Sequence, residues 1–350
     1  MKHTQEEWQI NQLFIFITSM SIFVLILKFA SDLLVPFLIS MAIAIILNPL
    51  FSYFEKRHIP KVMSLLMIFI VSLIPVVVLS DNITAEVKSL SHNFHDISND
   101  LTNALNRSTA FFQKFGITVD ENVISKTIEK SNLSALIKEL ASQVASQFSN
   151  IFFIYFTAAF MLIESKFFYH KMMKIAKDNQ QDIEGLMNII SKIKSYFLIK
   201  VKTSLLTALL VLAVLWFYDV NYLYLWVSLV FFLNFVPVIG SILAAIPAII
   251  MAGIDHNVMT AVWVAGWYAV INMVVGNIIE PKIMGKGLGL SALVIFLSMT
   301  FWGWVFGPAG MILSVPLTMV AQFMFEQYEE TKWVSILLSD YENENSLDAK

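Results

Sequence analysis

Residues 234–240 read Asn-Phe-Val-Pro-Val-Ile-Gly, in the middle of an apolar block that runs from Tyr222 to Ala252. The block is too long for one straight membrane helix, because a single span takes ~20 residues. Pro237 cannot donate a backbone hydrogen bond and clashes with the turn before it. Gly240 relaxes the backbone restriction at the same break. The arms, Tyr222–Phe235 and Val238–Ala252, are each short for a full span and suit a re-entrant hairpin. Backbone that is not helical at membrane depth is tolerated only where protein or a wet cavity satisfies it. Whether this block returns or crosses decides the side of the membrane on which everything after it lies.

The surrounding chain is apolar throughout. Of its 350 residues, 57% are hydrophobic and 14% charged, and the mean hydropathy is +0.71. A soluble chain carries roughly a quarter charged residues. Further apolar blocks cover Leu13–Ala30, Leu33–Tyr53, Val62–Leu79, Val144–Ile163, Thr203–Tyr218, Val258–Ile279 and Ser291–Phe325. Leu13–Ala30 is too long for a signal-peptide core and no small-x-small cleavage site follows it, so it reads as the first span. The last block is interrupted at Phe306-Gly-Pro-Ala-Gly310. Its arms are long enough for either two full spans or a deep hairpin, and the sequence leaves both open. The fold class is therefore an all-α polytopic membrane protein. It has about eight membrane segments, including two Pro/Gly-broken helical hairpins.

Charge orients the chain. The loop Glu55–Lys61 is basic, and residues 166–202 hold eight lysines. Short loops rich in Lys and Arg stay cytoplasmic. Both lie inside if the N-terminus is inside, and Asp219–Asn221 then lies outside. If 222–252 returns to its own side, the lysines of EPKIMGKG (280–287) fall inside, as the same rule prefers. The parity places residues 83–143, the one sizeable polar stretch, outside. There Ile83, Val87, Leu90, Phe94, Ile97, Leu101 and Leu105 are spaced 4, 3, 4, 3, 4, 4, a coiled-coil seam. It serves equally a hairpin within one subunit or a contact between subunits. The chain thus divides into three membrane helices (1–82), a helical extracytoplasmic insertion (83–143), a membrane core (144–325) with a cytoplasmic loop at 165–202 and broken hairpins at 222–252 and 291–325, and an acidic, partly disordered cytoplasmic tail (326–350).

Several chemistries fall away. There is no cysteine, which excludes disulfides, zinc–thiolate sites and Cys nucleophiles. Gly285, Gly287 and Gly289 alternate, but no Walker sequence or preceding strand accompanies them. His92, His95, Asp96 and Asp100 read as a solvated helix face rather than a metal site. Ser191 and Lys194 have the spacing of a Ser–Lys pair without an oxyanion loop. No basic stripe suggests nucleic acid. The reading is a protein that is not an enzyme and needs no cofactor or metal.

Polar residues inside apolar blocks are candidates by default, because burying them in a bilayer costs free energy. Lys28 and Asp32 lie near a helix end where they can snorkel. Asn234 sits at the first break. Asn272, Asn277 and Glu280 share two turns of one helix, with Asn277 and Glu280 at i, i+3 on one face. The asparagines serve either as glue between helices or as the lining of a solute path. Glu280 is either paired with Lys282 or Lys286 or a titrating gate, the pairing being the simpler role. Transporters place their sites at discontinuous helices, so Asn234, Pro237, Gly240, Asn272, Asn277 and Glu280 form the candidate path. Pro281, Lys282, Gly285, Gly287, Gly289, Gly307, Pro308 and Gly310 form the hinges and linker.

The run from Asn277 to Thr318, with its Pro-Lys pair, Met-Gly, Gly-Leu-Gly-Leu-Ser turn, Trp-Gly, Gly-Pro-Ala-Gly and Val-Pro-Leu, resembles the signature of the autoinducer-2 exporter family, also described as PerM-like permeases. FVPVIGSILAAIPA (235–248), Pro36, Asn48-Pro49 and Ile59-Pro60 resemble other parts of that family. The resemblance implies a multi-pass protein of the bacterial inner membrane with both termini cytoplasmic, in contact with lipid. It also implies a homo-oligomer, a pentamer being the size it suggests. Some relatives look like exporters of the furanone autoinducer-2, and others resemble Na⁺(Li⁺)/H⁺ antiporters. No carboxylate lies in the middle of an apolar block, which favours a small polar solute over a cation. A membrane scaffold that binds partners through residues 83–143 is a third reading, and it leaves the broken hairpins unexplained.

Overall fold

The computed structural model describes residues 15, 18–93, 151–175, 180–237, 239–284 and 289–340. Every regular element among them is helical. In chain order these are α1 (Thr18–Phe29), α2 (Ser31–Lys56), α3 (Lys61–His92), α4 (Ile151–Ile175), α5 (Gln180–Phe217), α6 (Leu223–Leu233), α7 (Gly240–Asp255), α8 (Val258–Met284), α9 (Ala292–Glu326) and α10 (Lys332–Leu338). By length and composition α2, the Gly185–Phe217 part of α5, α8 and α9 can each cross a membrane. Large apolar side chains lie bare on the outside, Phe29 at 93% and Trp216 at 74% exposure among them. A water-soluble surface does not carry such contiguous apolar area, whereas a lipid-facing one does.

α5 is the spine. One of its faces packs with α6, α7 and α8 around Val211, Leu215, Val230, Ala244, Ala248 and Val264. Further along, Ile193, Tyr196 and Phe197 pack with α2 and α9 around Ala42, Leu313, Val315 and Met319. A third core joins α2, α3 and α4 through Phe51, Ile68, Ala158 and Leu162. Residues 180–202, expected within a cytoplasmic loop, belong to the α5 helix.

The 222–252 block folds back. The Asn221 backbone and side-chain amides donate to the two Asp255 carboxylate oxygens, at 2.8 and 2.7 Å. The residues before α6 and at the end of α7 therefore meet, which makes α6–α7 a hairpin that opens and closes on one side. At its tip, a Cβ on Gly240 would overlap the Leu233 carbonyl. Only glycine lets the two arms approach so closely.

The 291–325 block folds back as well. Gly307 has φ 66° and ψ −150°, which interrupts α9. The Trp302 indole donates to Thr318 Oγ1 at 3.0 Å although the two are 16 residues apart. A straight helix would hold them ~24 Å apart. The Gln322 amide donates to the Gly289 carbonyl at 3.2 Å across 33 residues. Both ends of α9 therefore lie together, and α9 is the second hairpin. Its Gly310 repeats the device of Gly240, since a Cβ there would overlap the Trp302 carbonyl. The 27 residues of α8 connect the two mouths. At ~1.5 Å per residue that helix is about 40 Å long, so the mouths lie at opposite ends of the molecule.

The insertion's seam lies outside the described residues from Phe94 onward, as do His95, Asp96, Asp100 and 341–350. Within the described part, Ile83 and Leu90 are buried, and Leu90 joins the α5–α8 core of its own chain. The stretch expected as a partly disordered tail begins with the helix α10, and its last ten residues lie outside the described ones. In α10, Ser335 is buried and its carbonyl accepts from Gln322, while the Leu338 carbonyl accepts from the Ser291 amide. The apolar run Trp333–Leu338 outweighs the acidic composition around it.

Candidate functional site

The tip of the first hairpin grips α5. The Lys200 ammonium donates to the Asn234 backbone carbonyl at 3.3 Å. One turn further along α5, Ser204 Oγ accepts from the Asn234 side-chain amide at 3.0 Å. Lys200 also pairs with Glu280 of α8 at 2.6 Å, and their side chains are only 10% and 15% exposed. Three elements thus converge: α5 with a cation and a hydroxyl, α8 with a carboxylate, and the hairpin tip with a backbone carbonyl and a side-chain amide. Tyr196, one turn before Lys200, is buried with its hydroxyl unpartnered.

These positions follow from helical phase. Tyr196, Lys200, Thr203, Ser204 and Thr207 are all buried, spaced by three and four residues along the inner face of α5. Lys202 is exposed, out of phase with that face, and Lys192, one turn before Tyr196, is exposed beyond the buried stretch. Counting the lysines of 166–202 as one basic group hid Lys200. Its spacing of four from both Tyr196 and Ser204 was the available signal.

The expected partner of Glu280 is therefore corrected. It pairs with Lys200, not with Lys282, which is exposed; Lys286 lies outside the described residues. Glu280 lies in the last turns of α8, near the Met284 end rather than in the middle of the helix. The expected common face of Asn277 and Glu280 is lost, because residues 275–279 form a π turn. That wider turn rotates the residues beyond it, so that Asn277 is exposed and Glu280 is not. π turns inside α-helices occur frequently at functional sites. Asn272 is half-buried.

The remaining candidates are dispersed. Pro237 and Gly240 are buried at the first tip, while Pro281 is exposed beside Glu280. Gly289 has φ +79° at the mouth of the second hairpin. Gly285 and Gly287 lie outside the described residues. Gly307, Pro308 and Gly310 shape the second tip. Lys28 does not simply snorkel to a helix end: its ammonium lies 3.8 Å from the centre of the Trp304 ring on that second hairpin, a cation–π contact.

Comparison with known proteins gives the family. The profile of the AI-2E family transporter matches residues 15–330. The chain belongs to the AI-2E transporter family. Its AI-2E relatives include the AI-2 transport protein TqsA of Escherichia coli K12, 33% identical over 91% of this chain and 92% of that protein. A putative transport protein of Haemophilus influenzae is 34% identical over 90% of this chain and 92% of its own length. The putative transport protein YhhT of Escherichia coli K12 is 29% identical over 88% of both chains. An AI-2E member is a membrane transporter, and the elements that carry the family's proline and glycine motifs here are the two hairpins.

Proposed function

We propose that the protein exports a small, uncharged polar solute such as autoinducer-2, through a path that passes the tip of the first hairpin. The carrying observation is the cluster of Lys200, Glu280, Asn234 and Ser204. It is polar, enclosed and compensated in charge. Glu280 is already neutralised by Lys200, so the cluster offers donors and acceptors rather than a net field. That suits hydroxyl and carbonyl groups better than a bare cation. The name of the TqsA relative supports autoinducer-2 as the solute to test. The same reading takes the unit at work as a homo-oligomer in the bacterial inner membrane, with both termini cytoplasmic.

A second reading, Na⁺(Li⁺)/H⁺ exchange, draws on one observation: a carboxylate inside a membrane-length helix, the kind of group that marks ion paths. Proteoliposomes loaded with a proton-sensitive dye separate the two. Autoinducer-2 flux with no dye response to Na⁺ or Li⁺ supports the exporter. Cation-driven proton release without furanone flux supports the exchanger and overturns the first reading.

A further inference from the structure

α6 begins without a cap of its own. Its N-cap residue is Tyr222, in the left-handed conformation at φ 60°, and no side chain of that residue accepts from the first turn. The turn before it is held by other contacts. The Asn221 side chain donates to Asp255, and the Asn221 carbonyl accepts from the Trp226 indole at 2.9 Å. The Asp219 carbonyl is engaged with the His256 ring at 3.2 Å.

Glu86 fills the place from another helix, 138 and 139 residues away in the chain. Its carboxylate accepts from the Leu225 amide at 2.6 Å and from the Tyr224 amide at 3.3 Å. Those are the second and third residues of α6, the amides that a side-chain cap ordinarily takes. A carboxylate there also meets the positive end of the helix dipole. Glu86 lies beyond the apolar stretch of α3 that ends at Leu79. Partial burial pushes its carboxyl above the usual carboxylate range, and the bonds from Leu225 and Tyr224 pull it part of the way back. One turn on, Leu90 packs into the core that holds the hairpin.

We propose that Glu86 is a positioning residue for transport, which holds the outer end of the first hairpin to the helix that leads into the 83–143 insertion. It does not touch the Lys200–Glu280 cluster. It acts through α6, whose far end carries Asn234. Fixing the Tyr224 and Leu225 amides fixes the depth and rotation of α6, and so where the Asn234 carbonyl meets Lys200. The helix entering the insertion is then mechanically joined to the site. This inference rests on the reading that the hairpin tip lies on the transport path.

The test compares the full-length wild type with Glu86→Ala and Glu86→Gln in proteoliposomes. Hydrogen exchange at Tyr224 and Leu225 is read beside autoinducer-2 flux. Glu86→Ala is expected to speed exchange at those two amides, leave the α5 core protected and slow flux by about fivefold, the factor that a lost cap of ~1 kcal/mol corresponds to. Glu86→Gln retains an acceptor oxygen and is expected to recover part of both. Unchanged exchange at Tyr224 and Leu225 in Glu86→Ala would overturn the cap, whichever solute crosses. Faster exchange with wild-type flux would overturn the positioning role. If Glu86→Ala does not fold, intermediate exchange and flux in Glu86→Gln still support the proposal, and wild-type values for both in Glu86→Gln overturn it. Absence of furanone flux in the wild type would count against the proposed function alone, because the exchange measurement needs no solute.

Discussion

Lys200 is surrounded in sequence by lysines that face water, and what distinguishes it is phase. It falls on the α5 face that carries Tyr196, Ser204 and Val211, and so it is carried inward to Glu280 and the Asn234 carbonyl. A buried ion pair is costly to break from one side, about 3–5 kcal/mol, while apolar replacement of both partners is often neutral or stabilising. Lys200→Met and Glu280→Leu alone are therefore expected to lower the melting temperature in detergent. The double variant should recover much of the loss while failing to transport. A double variant no more stable than either single one would count against a coupled pair. Asn234 and Glu280 were legible as candidates because a polar residue in an apolar block stands out. Their common partner was not, because burial of Lys200 depends on tertiary packing.

At the level of elements, both hairpins are made by the same device: a Pro–Gly break, and a glycine two or three residues after the proline that lies against a carbonyl of the opposing arm. Gly240 meets Leu233 and Gly310 meets Trp302. Gly266 and Gly276 have open space where a Cβ would go. Gly240→Ala and Gly310→Ala are thus expected to cut folded yield and melting temperature, with Gly266→Ala close to wild type. Equal behaviour of all three would contradict close packing at the tips. Gly307 adds a conformation reserved for glycine, worth ~1–3 kcal/mol of strain for any other residue. The breaks were visible in sequence because proline and glycine act locally. The contacts between the arms of 291–325 were not, because they join residues distant in the chain, Trp302 with Thr318 and Gln322 with Gly289. The π turn at 275–279 carries no comparable local mark, and it re-aims Glu280 relative to Asn277.

Across the whole molecule, α5 and α8 relate the two hairpins. α8 joins their mouths end to end, and α5 touches the core of each. This geometry makes the charge-based orientation testable at the two ends of α8. The chain has no cysteine, so single cysteines can be introduced without background. His256→Cys is expected to react with an impermeant maleimide from outside intact cells, and Lys282→Cys only after the membrane is opened. Reaction of both from outside would contradict the orientation read from the lysines. The family and the helical class were legible from composition and from the 277–318 run. The convergence of α5, α8 and the first hairpin tip was not, since it depends on contacts between distant segments. The central claim is that this convergence lies on the transport path, and the most direct measurement is the initial rate of autoinducer-2 efflux from proteoliposomes holding wild type or Glu280→Gln. The account predicts at least a tenfold fall, equivalent to about 1.4 kcal/mol in the barrier, in a variant that remains folded and monodisperse. Wild-type efflux by folded Glu280→Gln would contradict it.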